Sequence, residues 1–139
     1  MATKSLPRKW YQRLLGIPAT GLPADPGSWS YSAGTLVLDL ARVPELSAPG
    51  TAVRLEGGGL PARILVVRAD DGSYRAFQNR CRHFFRRLDP VPGTGAIQCC
   101  SVNKATYDME GKVVSGPARG PVTAYPVTVE GGKLRIAIA

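Results

Sequence analysis

The chain has 139 residues, enough for one domain with a short extension. Sixteen Gly and twelve Pro exclude a helical bundle, since these are the weakest helix formers, and suit short strands joined by tight turns. Lys and Arg outnumber Asp and Glu by 18 to 10, a formal charge of +8; this fits an acidic or anionic partner and fits plain solubility equally well.

Residues 1–24 hold Lys4, Arg8, Lys9 and Arg13 and no acid. Trp10, Leu14 and Ile17 recur at helical spacing, Pro7 can open a helix, and Gly16 and Pro18 end it. So short a helix is marginal alone in water and is expected to dock on its own domain. As a basic amphipathic segment it also offers a contact to a partner or to a membrane surface. Residues 18–34 read as an extended connector, so 1–34 form an N-terminal extension and 35–139 the domain.

From Thr35 the apolar period becomes two. Leu36, Leu38 and Leu40 share one strand face, and Val53 and Leu55 alternate likewise. Arg63 to Arg68 is apolar on both faces, which marks a central strand. Asp70-Asp71-Gly72 signals a turn into Ser73–Phe77. Val122–Glu130 and Lys133–Ile138 form a second hairpin across Gly131-Gly132, with Leu134, Ile136 and Ile138 on one face. Between the hairpins, Gln78 to Gly120 shows only short strand candidates, and a loop that long inside a compact domain is usually functional. The reading is all-β and antiparallel.

The three Cys and the single His of the chain lie in that stretch. Three is an odd count and Cys99 adjoins Cys100, which argues against a disulfide framework and for metal binding or burial. No run approaches the roughly 20 apolar residues a spanning helix needs, and the N-terminus lacks a secretory pattern. A cytoplasmic location is therefore expected.

Cys81-Arg82-His83 is followed by Cys100-Ser101-Val102-Asn103, then Tyr107-Asp108 and Gly116-Pro117-Ala118. This order resembles the Rieske iron–sulfur domain over about residues 35–139, most closely from Asn79 to Ala118. The resemblance implies a small antiparallel β sandwich or barrel whose two loops, at one tip, carry a [2Fe–2S] cluster held by two Cys and two His. It implies Cys81, His83 and Cys100 as ligands, and places Asn103 where the family has its second His. An amide oxygen is a hard, weak donor for iron, so such a cluster is expected to be labile. Arg86 and Val102 stand where some members carry a loop-bridging disulfide, so the ferredoxin and ring-hydroxylating oxygenase branch fits better. The chain is too short for an oxygenase catalytic domain, which leaves an electron carrier or accessory subunit of an oxidoreductase rather than a catalyst by itself.

Two other readings stay open: a clusterless interaction subunit, motivated by Asn103 and Phe84-Phe85, and a zinc or mononuclear iron site that adds Cys99 to Cys81, His83 and Cys100. Cys99 is expected to face away from Cys100 if the segment is extended, as a small buried residue. Arg75, Arg80, Arg82, Arg86 and Arg87 form an acid-free stretch. Arg80, Arg82, Arg86 and Arg87 read as a docking rim for an acidic redox partner, or as a solvated loop. No nucleic-acid motif is evident. Asp108 and Glu110 read as turn carboxylates, without a catalytic role.

Overall fold

The computed structural model describes residues 9–15, 19–81, 86–91, 93–100, 104–116 and 120–138. His83, Asn103, Arg82, Phe84-Phe85 and Pro117-Ala118 lie outside the described residues, as do Lys4, Pro7, Arg8 and the Gly16-Ile17-Pro18 helix stop.

Three four-stranded antiparallel sheets make up the fold. The first has the order β1-β2-β12-β11, from Trp29–Ser32, Thr35–Asp39, Lys133–Ala137 and Val127–Glu130. The second runs β10-β5-β4-β3, from Ala124–Tyr125, Tyr74–Gln78, Ile64–Arg68 and Thr51–Leu55. The third is consecutive, β6-β7-β8-β9, from Leu88–Val91, Ala96–Cys99, Thr106–Asp108 and Val113–Ser115.

Strand β4 explains its own composition. Alternate side chains leave opposite faces of a strand. Ile64 and Val66 enter a core shared with Leu36 and Leu38 of β2 and Leu134 and Ile136 of β12. Leu65 and Val67 enter a second core with Phe77, Leu88, Ile97 and Tyr107. The second core joins the central sheet to the third sheet and contains Cys81 and Cys99.

Several elements differ from the sequence reading. Leu40 leaves the strand face because the Asp39 side chain accepts from the Ala41 N–H and starts a 3₁₀ turn over Leu40–Arg42. Residues 29–32 lie in the sheet as β1, through a turn whose Ala33 and Gly34 both have positive φ. The Val122–Glu130 arm divides at Pro126: Ala124 and Tyr125 pair with β5, whereas Val127–Glu130 pair with β12. Proline donates no backbone hydrogen bond, so the chain changes sheets there at little cost. The Gln78–Gly120 stretch does hold short strands, as expected, and these four pair with one another as the third sheet.

The N-terminal segment crosses the body as a strap. The buried Asp89 carboxylate accepts from the backbone N–H groups of Ala19 and Thr20, both at 2.8 Å. Gly21 O accepts from the Arg54 N–H, and Glu45 Oε2 accepts from the Ala24 N–H. Asp25 then pairs with Arg42 at 2.7 Å. Helix α1, Trp10–Leu15, departs from expectation: Trp10, Tyr11, Leu14 and Leu15 are exposed rather than packed on the domain. Among the described residues, Arg86 Nη1 ties it to the body by donating to Leu14 O. Among the described residues no helix is long and apolar enough to cross a membrane.

Candidate metal centre

Two loops meet at one end of the third sheet. The first leaves β5 at Asn79 and returns at Leu88. Asn79 Oδ1 accepts from the Leu88 N–H at 2.7 Å, and the Cys81 N–H donates to Arg86 O at 2.8 Å. These two rungs pair the described ends of the segment, 79–81 with 86–88. The second loop leaves β7 at Cys99 and returns at Ala105. The Cys99 N–H donates to Ala105 O at 2.7 Å, and the Cys100 N–H donates to Arg87 O at 3.0 Å.

Cys81 and Cys100 therefore hang from consecutive carbonyls, those of Arg86 and Arg87. This backbone scaffold fixes two thiols, 19 positions apart in the chain, at the same end of the fold. Both are buried, as is Cys99. The strand ends at Cys99, a small buried residue of the second core, the chain bends at Cys100, and the Cys99 thiol hydrogen-bonds to Cys100. That contact holds the Cys100 thiol below its usual range, against the opposing effect of burial. Asp89 and Cys81 also oppose it electrostatically, whereas Cys100 acts on Arg63 and Arg87 in the sense that favours their charged forms.

Under the second loop lies a closed polar network. Gln98 Nε2 donates to Thr106 Oγ1 at 3.1 Å, and Thr106 Oγ1 donates to Lys104 O at 2.8 Å. Gly116 has a φ of +88°, and a Cβ there would lie 2.7 Å from the Ala105 Cα, so only glycine lets this segment run against the base of the loop. Asp108 Oδ1 accepts from the N–H groups of Glu110 and Lys112, each at 2.9 Å, in keeping with a turn carboxylate.

The arginines divide. Arg87 is committed to Glu56, through Nε at 2.6 Å and Nη2 at 2.9 Å. Arg54 Nη1 reaches the same carboxylate at 2.9 Å. Chiefly through the Arg87 hydrogen bond, the Glu56 pKa falls to about 2. Arg86 holds α1, and Arg80 is exposed. Glu56, Asp89 and Asn79 support the site although their sequence gives no sign of it. A carboxylate before a glycine run, or inside Leu88–Val91, has no local feature that names its partner.

The described donors suit the sulfur half of an iron–sulfur group: two buried thiols on rigid backbone, one with its thiolate favoured. A buried amide nitrogen, Asn79 Nδ2, also lacks an acceptor among the described residues. Among the described residues, no three His, Cys, Asp or Glu side chains converge on a metal position.

Comparison with known proteins bears on the family and the fold. The family model described as Rieske [2Fe–2S] domain matches residues 37–126. The chain is 35% identical over 71 residues to the glycine betaine monooxygenase oxygenase subunit of Chromohalobacter salexigens; this covers 50% of the chain but 16% of that protein, about one sixth of its length. Among solved structures, the ferredoxin of carbazole 1,9a-dioxygenase from Nocardioides aromaticivorans IC177 superimposes with a TM-score of 0.60 at 27% identity, covering 74% of this chain and 95% of that one. The quaternary ammonium monooxygenase CntA in complex with L-carnitine shares the fold, with a TM-score of 0.56 at 18% identity over 81% of this chain and 32% of that one.

Proposed function

We propose a function from one premise: the chain belongs to the Rieske [2Fe–2S] domain family. On that premise it is a Rieske-type electron-transfer protein or accessory redox subunit, with Cys81, His83, Cys100 and Asn103 as the cluster's ligand set. The observation that carries the reading is the suspension of Cys81 and Cys100 from neighbouring carbonyls at one end of the fold. A bound cluster supplies one-electron redox chemistry. The chain's own residues hold the sulfur ligands rigidly, exclude water from them and place positive charge beside Cys100.

The partner is an acidic redox protein. Arg80, Arg82 and Arg86 supply the rim. Arg87 contributes chiefly to structure, because its charge is already matched by Glu56. Helix α1 supplies exposed aromatic and aliphatic anchors next to that rim, the residue types that dominate binding energy at interfaces. The complex of reduced oxygenase and oxidized ferredoxin in carbazole 1,9a-dioxygenase is a likeness at the level of fold, 22% identical with a TM-score of 0.55.

Anaerobic purification followed by assay of iron, acid-labile sulfide and zinc tests the reading. About two irons and two sulfides per chain are expected, and Asn103→His is expected to slow cluster loss, because imidazole is the better iron ligand. A folded protein without metal supports the clusterless reading instead. One zinc, or iron without sulfide, supports a site that includes Cys99.

A further inference from the structure

Asn79 is fully buried, yet only one end of its amide is used. Oδ1 accepts from the Leu88 N–H, and this fixes the amide's orientation, since the opposite one would set Nδ2 donor against donor. Nδ2 is then left enclosed with no acceptor among the described residues. Buried polar groups in native proteins are almost always paired, and an exception calls for a partner of its own, an ion or a bound group among them. Two other buried atoms share this condition, Ser28 Oγ and Glu45 Oε1. Both are on the strap side, and Glu45 already uses its second oxygen on the Ala24 N–H.

The place of Asn79 narrows what the acceptor is. The residue precedes Cys81 by two positions, and its rung to Leu88 is the one next to the Cys81–Arg86 rung. The acceptor is absent among the described residues and must meet Nδ2 at the base of this loop. Sulfur meets both conditions: a neutral thiol is a poor acceptor, whereas a metal-bound thiolate or a sulfide is a good one.

We infer that Asn79 is a positioning residue whose Nδ2–H donates to a sulfur of the iron–sulfur group on the Cys81 side. The inference rests on the iron–sulfur reading. Through this bond Asn79 orients the loop and raises the reduction potential, because a donor to sulfur stabilises the more negative, reduced state.

The test uses protein containing asparagine labelled with ¹⁵N at the side-chain amide, reduced and studied by pulsed EPR. Asn79 and Asn103 are the two asparagines of the chain, so Asn103→His leaves Asn79 as the single labelled amide. A ¹⁵N coupling to the reduced cluster is expected in the wild type and in Asn103→His. In Asn79→Leu its contribution is lost and the midpoint potential falls. A cluster that forms in Asn103→His with no ¹⁵N coupling overturns the inference and leaves the iron–sulfur reading intact. Unchanged coupling and potential in Asn79→Leu do the same. Absence of iron and sulfide from both the wild type and Asn103→His overturns the reading itself, and the inference with it. If Asn79→Leu does not fold, the presence or absence of coupling in Asn103→His decides.

Discussion

At Glu56 a single carboxylate accepts hydrogen bonds from Arg54 and, twice, from Arg87. Its pKa drops from 4.5 to about 2, so the folded state holds the anion more strongly than the unfolded chain does. The stabilisation is fully present above about pH 4.5 and is lost as pH falls through the folded value near 2. At neutral pH it is worth about 2 kcal/mol once solvent screening at the partly exposed Arg87 is discounted. Glu56→Gln is therefore expected to lower stability by that order at pH 7. The difference from wild type should shrink as pH falls from about 4.5 and vanish only below the folded value near 2, as read by urea denaturation across pH. A difference that persists unchanged at low pH would show that the carboxylate charge is not its source. Legibility at this scale was uneven. That Cys81 and Cys100 lie at one end of the fold could be expected from sequence because thiols are scarce and their flanking turn residues are distinctive. Asn79, Glu56 and Asp89 could not, because their partners lie 9, 31 and 70 positions away and depend on how the sheets stack.

Among the elements, β4 was legible for a physical reason. A strand buried between two cores has no polar face, and Ile64-Leu65-Val66-Val67 shows none. Strand β6 was not legible, since Leu-Asp-Pro-Val breaks both the period and the usual composition of a strand. It is tolerated because β6 is an edge, where Pro90 needs no partner on its open side, and because Asp89 has its own acceptor role. The strap depends on that carboxylate. Asp89→Ala leaves the Ala19 and Thr20 N–H groups without their acceptor and is expected to cost about 2 kcal/mol. Cleavage by protease within residues 16–24 should accelerate in this variant while the sheets persist. Equal cleavage rates in variant and wild type would show that Asp89 does not hold the strap. The short basic helix was readable from its spacing. Its exposed apolar side was not, because burial is settled by the neighbouring surface.

For the whole molecule, the three sheets form a relay from frame to site. The first core fixes the second sheet, the second core fixes the third sheet, and the third sheet suspends the two loops. Cys81 and Cys100 lie at the same end of the fold as the backbone of Arg86 and Arg87. The family pattern made the general fold readable from sequence, while the division of strands among sheets was hidden by Pro126 and by the short strands of the third sheet. The central claim concerns one ligand set, and Mössbauer spectroscopy of the ⁵⁷Fe-loaded protein reads it directly. Two iron sites of equal area but unlike ligation, one bound by sulfur alone and one by mixed donors, are the predicted result. A single class of iron site, or protein that folds and takes up no iron together with sulfide, would contradict it.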